Sequence, residues 1–363
     1  MKWNEELKYN ITRAEELVSM LGLSAEQCDR MNAILEQFPM TVTRYYLSLI
    51  DRENPGEDPI RKMCIPSISE TDLSGTFDTS GEADNTVLPG MQHKYRQTVL
   101  ILSTHRCAMY CRHCFRKRLV GISDDETADN IEEMAAYVAE HREISNILIS
   151  GGDAFLNTNK TIECYLQLFS SIEHLDLIRF GTRTPVVLPS RIYEDPELLS
   201  ILKRYTVRKQ IYVITQFNHP KELTAEARRA VRELMSAGVI VRNQTVLLRG
   251  INDNRETMGV LLKELTACGI VPYYIFQCRP VSGVKGQFQV PLKKGSRVVE
   301  EARHMQNGQG KSVRYCLSHV SGKIEILGML PDGQMLFKYH QAKAESNLGR
   351  IFTATVDEEQ AWL

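Results

Sequence analysis

The sequence predicts an α/β fold: a partial (β/α)6 barrel with an N-terminal helical extension and a C-terminal hairpin-bearing tail. Three observations predict it. Residues 1 to about 90 lack strong β runs. From Val99 onward, short apolar runs alternate with amphipathic stretches of helical period, the pattern of βα units around a buried parallel sheet. After Gly286 turn signals take over.

Taken in order, Ile11 to Leu23 and Asp29 to Leu35 carry apolar residues near helical spacing, and the Pro-, Gly- and acid-rich stretch Glu53 to Gly90 reads as an extended linker. Residues 1–90 are therefore expected to form a helical cap and linker. The barrel is assigned to 91–285, with strands at Val99 to Thr104, Asn146 to Ser150, Leu177 to Gly181, Gln210 to Thr215, Val239 to Val246 and Pro272 to Gln277. Helices are expected at Asp129 to His141, Glu197 to Tyr205, Thr224 to Ala237 and Arg255 to Cys268, several opened by Asp, Thr or Asn caps. The tail, 286–363, carries the turns Val320-Ser-Gly-Lys and Pro331-Asp-Gly. Function in such a barrel sits on the loops after the strands.

At 363 residues, 43% hydrophobic and 25% charged, the chain is not disordered, collagen-like or a coiled coil. Lys plus Arg number 44 against 45 Asp plus Glu, so no global basic field draws nucleic acid or an anionic membrane. The run Arg116-Lys-Arg118 has no aromatic platform interleaved for bases. With no apolar leader at Met1 and no apolar window of membrane-spanning length, a cytoplasmic location is expected.

Nine cysteines without a secretion signal favour metal or cluster ligation over disulfides, and three of them, Cys107, Cys111 and Cys114, fall within eight residues directly after the first barrel strand. Two ligand sets stay open. Zinc would need a fourth ligand such as His105 or His113, and a non-enzymatic metal-binding module would follow. A [4Fe-4S] cluster held by three cysteines would leave one iron free for a small molecule.

Cys-x3-Cys-x2-Cys in the first βα loop resembles the radical S-adenosylmethionine (SAM) enzymes. The longer string Cys107-Ala-Met-Tyr-Cys-Arg-His-Cys-Phe-Arg-Lys-Arg resembles the lysine 2,3-aminomutase family, over about Leu88 to Lys323. The resemblance implies a [4Fe-4S] cluster on the three cysteines and SAM held by Ser150, Gly151, Gly152, Asp153, His219 and Gln244. It also implies pyridoxal 5'-phosphate (PLP), anchored on a lysine after a glycine-rich segment, here Lys323. Two family arginines for the PLP phosphate correspond to Lys94 and Thr98, with Arg96 between, and the glycine run is reduced to one, so a PLP-independent radical enzyme is an alternative. An electron donor such as flavodoxin or ferredoxin is implied, and homo-oligomerisation is left open.

Arg116 matches the family arginine for the substrate α-carboxylate, a role suited to guanidinium geometry. Arg279 stands where lysine-specific members carry an aspartate, and the second acidic position falls near Cys316 to Ser318, where there is no carboxylate. An arginine there would repel a lysine ammonium by about 4 kcal/mol at roughly 4 Å and an effective dielectric near 20. An acidic amino acid is therefore expected, as in glutamate 2,3-aminomutases. The alternative is a structural pairing of Arg279 with Glu325 or Asp332.

Overall fold

The computed structural model describes residues 3–363. Twelve strands form one sheet in chain order: β1 (Thr86–Leu88), β2 (Met91–Tyr95), β3 (Thr98–Leu102), β4 (Asn146–Ser150), β5 (Leu177–Gly181), β6 (Gln210–Thr215), β7 (Ile240–Leu247), β8 (Val271–Gln277), β9 (Arg314–His319), β10 (Gly322–Met329), β11 (Met335–Ala342) and β12 (Ile351–Ala354). Strands β3 to β9 run parallel, and antiparallel ribbons extend the sheet at both ends. The edges β1 and β12 do not pair with each other, so the barrel stays open.

The period-two alternation of the strands sorts their side chains. Val99, Ile101, Ile147, Ile149, Ile178 and Phe180 are buried in the hydrophobic core. Their neighbours Leu100, Asn146, Leu148, Ser150, Arg179 and Gly181 line the inner cavity. The helices Ile131–Glu140, Asn159–Ser170, Pro196–Thr206, Ala225–Ser236 and Arg255–Ala267 cover the outer face, capped by Asn130, Thr158, Asp195, Thr224 and Asn254, each accepting a backbone N–H of the first turn. Each fully buried Leu or Ile on these faces contributes about 1.5–3 kcal/mol.

Three features differ from the sequence expectation. The helix Leu292–His304 leads into a seventh parallel strand, β9, so the parallel sheet runs past residue 285 into the region read as tail. The first expected helix is shorter: Ala14–Leu17 is a 3-10 turn followed by one helical turn, Val18–Leu21, ended by Gly22. Glu53 to Gly90 is not an extended linker throughout. It holds the short helices Pro59–Cys64 and Glu82–Asn85 and buries Ile60, Met63, Glu70 and Glu82, because both carboxylates find cations of the cysteine loop.

Candidate active site

The loop after β3 places Cys107, Cys111 and Cys114 on the wall of a cavity of about 450 Å³ within the curved sheet. The N-terminal segment fixes that loop: Tyr110 N–H donates to the Thr41 carbonyl at 3.0 Å and Arg112 N–H to the Met63 carbonyl at 2.9 Å. The Arg112 guanidinium is buried on Glu70 and the carbonyls of Phe38 and Pro39, and Lys117 reaches the same Glu70 carboxylate. Burial alone would push the Glu70 carboxyl up; Arg112 and Lys117 more than offset it and hold it below the ordinary carboxylate range. Glu70→Leu leaves two cations buried without their counter-ion and is expected to cost about 3–5 kcal/mol. Denaturant unfolding would measure it, and a loss under about 1 kcal/mol would mean that Glu70 is not the lock.

Burial pushes the Cys107 and Cys114 thiols up, Cys114 to about 11, so both need a cationic ligand to lose their protons. Arg183, at the end of β5, donates to Cys111 Sγ at 2.8 Å while its other arm grips Glu222 at 2.5 Å. Among the described residues no three His, Cys, Asp or Glu side chains stand together as ligands of one ion, and His113 turns its Nε2 toward Gln216 and Asn218. A cubane differs, because each thiolate binds its own iron and the three need not converge on a point.

Ser150 ends β4, Gly151, Gly152 and Asp153 follow it, and all four line the cavity. Gly151 has φ +114°, and a Cβ there would stand 2.3 Å from the Thr104 carbonyl oxygen; at Gly152 it would meet the Arg106 carbonyl oxygen at 2.3 Å. Only glycines let this loop lie against the cysteine loop. The Asp153 carboxylate is fully engaged as a clamp, accepting from Phe155 N–H, Thr182 Oγ1–H and Arg183 N–H. Gln244 lies on the cavity wall at an irregularity of β7. His219 is not on that wall: it opens a 3-10 turn, its Nδ1 accepting from Lys221 N–H and its backbone N–H donating to the Glu222 carboxylate, which also accepts from Arg183.

At the other end of the cavity the β9–β10 hairpin presents Lys323, opposed to Ser318 and to Gln341. Its Nζ lies 4.2 Å from the Tyr274 ring centre and 5.5 Å from that of Phe276. Desolvation pushes this amine down to about 7, opposed by Cys316 and reinforced by Arg179, Arg279 and Lys94. Lys94 Nζ donates to the His319 carbonyl at 2.8 Å, also on the cavity wall. Arg96 is corrected by the structure: it faces solvent and pairs with Glu345 at 2.8 Å, since the β2–β3 pairing is irregular between Gln92 and Tyr95 and the strand alternation does not carry through the turn.

Arg116 lines the cavity but is already on Glu82, its Nε and Nη2 both within 2.9 Å of Oε1. A substrate carboxylate would have to share or displace Glu82. Arg279 makes no pair with Glu325, which Arg314 holds; it donates to Ser80 and Ser318 hydroxyls and lies 4.3 Å over the Phe115 ring. Sequence reading missed Glu82, Arg179 and the Tyr274–Phe276 platform. The strand alternation alone could have aimed Arg179 inward.

Residues 101–261 match the family model of the Radical SAM superfamily, which defines the class of the site: a three-cysteine loop over an open parallel barrel. A chain from Aquifex aeolicus is 38% identical over 99% of this chain and 94% of its own length. The L-lysine 2,3-aminomutase of Fusobacterium nucleatum is 41% identical, covering 84% of this chain and 71% of that one, and the glutamate 2,3-aminomutase of Clostridioides difficile is 36% identical, covering 85% and 71%. The chain belongs to the lysine 2,3-aminomutase family of radical SAM isomerases. The superfamily implies a [4Fe-4S] cluster and SAM, and lysine 2,3-aminomutases depend on PLP. No helix among the described residues is long and apolar enough to cross a membrane.

Proposed function

We propose that the chain is a PLP-dependent amino acid 2,3-aminomutase that moves an α-amino group to the β-carbon, with glutamate favoured over lysine. The observation that carries it is Lys323, a desolvated amine with no ion pair among the described residues, opening on the same cavity as the three cysteines. Cys107, Cys111 and Cys114 would hold the cluster, Ser150, Gly151, Gly152 and Gln244 would hold SAM, and Lys323 and Lys94 would hold PLP. When bound, these groups supply a carbon-centred radical that abstracts hydrogen and a carrier for the migrating amine. The chain's own part is to enclose the reactants, with Phe115 and Val120 among the apolar walls.

For an acidic substrate, the support is the charge of the walls. Both cavity carboxylates are committed, Glu82 to Arg116 and Arg118 and Asp153 to its clamp, so none is free for a distal ammonium. Arg279 remains without a carboxylate partner, pushed down to about 10 by burial. A PLP-independent radical enzyme is the second reading, favoured by Arg96 turning to solvent and by the short Thr98.

Product analysis with SAM, reductant and a panel of amino acids tests the assignment. β-Glutamate is expected, and lysine turnover without glutamate turnover would overturn the acidic preference. Arg279→Asp is expected to cut glutamate turnover by roughly ten- to a hundredfold through a few kcal/mol of charge reversal. Unchanged turnover in this variant would remove Arg279 from substrate recognition.

A further inference from the structure

Cations outnumber anions in the cavity. Lys94, Arg179, Arg279 and Lys323 line it with no ion pair among the described residues, while its two carboxylates are already engaged. Such a surplus needs an anion to be brought in.

Arg179 is the most exacting of the four. From the middle of β5 its Nη2 donates to Asn146 Oδ1 at 2.5 Å, while its Nε is buried with no acceptor at all. Nothing acidic answers it. Its neighbours are Tyr273, Tyr274 and a second cation, Arg242, itself laid over the Tyr212 and Tyr273 rings at 5.1 and 4.9 Å. Asn146 is in turn hydrogen-bonded to Thr98, so Arg179, Asn146 and Thr98 form one polar group.

This group lies at the inner end of the cavity. Thr98 and Asn146 are the first residues of β3 and β4, whereas the cysteine and glycine loops follow the far ends of the same strands. Chemistry at the cluster belongs to the loop end. A resident cofactor's anchor belongs away from those loops, beside Lys323, on whose amine Arg179 bears more strongly than the other cations do.

We propose that Arg179 holds the phosphate monoester of PLP, its free N–H groups and charge doing at the inner end what Thr98, with one hydroxyl, cannot. The inference rests on the PLP reading of Lys323. A guanidinium suits the task because its donors form a planar fork that matches phosphate oxygens. Asn146 orients it, and Lys94 adds a second, point-like charge on the same cavity wall.

The test uses the full chain with its cluster in place and freed of PLP, titrated with PLP and with pyridoxal, which lacks the phosphate. Bound aldehyde is fixed by borohydride and counted at Lys323 by peptide mapping. The unmodified chain should hold PLP at least about tenfold more tightly than pyridoxal, and inorganic phosphate should compete with PLP. Arg179→Met, which replaces a buried charge by an apolar chain of similar length, should lose roughly ten- to a hundredfold in PLP affinity and the phosphate competition, with pyridoxal capture far less affected when read at pH 9, where the Lys323 amine is largely neutral with or without the neighbouring charge. Arg179→Lys should recover part of the loss. Equal loss of both aldehydes, or PLP affinity unchanged in Arg179→Met, overturns the proposal for Arg179 alone. No label at Lys323 in the unmodified chain overturns the PLP reading and this inference with it.

Discussion

Replacing Cys107, Cys111 or Cys114 with alanine is expected to bring reductive SAM cleavage to background and to lower the iron and sulfide bound by anaerobically purified protein. Each thiol lines the cavity on a loop with no fourth cysteine near it in sequence, so no substitute ligand is at hand. Cys164 lies on the helix Asn159–Ser170, on the outer face of the sheet, and Cys164→Ala should keep its full iron content. Retained SAM cleavage in the triple variant would overturn the ligand assignment.

The second large effect is at Lys323. Lys323→Ala is expected to lose both the borohydride-fixed PLP label and the rearranged amino acid product, because no other lysine pairs into the same strand position beside Tyr274 and Phe276. A label found on Lys311 or Lys338 would remove the assignment. The pH profile of capture adds an independent check. An amine attacks a carbonyl only when neutral, and the cavity lowers the Lys323 amine to about 7. The capture rate should therefore rise roughly tenfold from pH 6 to pH 8 and level off above it. An ordinary lysine would gain about a hundredfold over the same span and continue to rise. A continued tenfold rise per pH unit beyond 8 would mean that the amine is not desolvated.

Much of the barrel is legible in the sequence because its strands are bounded by polar turns and alternate cleanly. Asn146–Ser150, Leu177–Gly181 and Gln210–Thr215 begin and end where the apolar pattern does. Arg314–His319 was hidden for the opposite reason: its short Tyr-Cys-Leu core next to a tight turn reads like a hairpin arm, and only the helix before it makes it parallel to β8. The cysteine and glycine loops are local strings, and the structure sets both on one wall. Glu70 and Glu82 could not be read in the same way. Their partners Arg112 and Arg116 lie 42 and 34 positions away, and nothing in an acid-rich stretch marks which carboxylates will be buried. Arg96 was drawn in by a neighbouring motif, but side-chain direction in a turn depends on backbone geometry that a motif does not encode.

The hairpin that carries Lys323 is also among the last pieces of the cavity wall that the ribosome makes, with Gln341 of β11 following it. About 200 residues separate Cys114 from Lys323, roughly 10 to 40 s of synthesis at ordinary rates. During that interval β3 to β8 can pair as they emerge, each with its predecessor in the chain, and the three thiols are already in place on their loop. The register of β10 decides the rest: a slip of one residue against β9 would turn Lys323 to the outer face and bring Ile324 inward. The nascent chain therefore offers its thiols to iron, and to oxygen, before the amine end of the cavity exists.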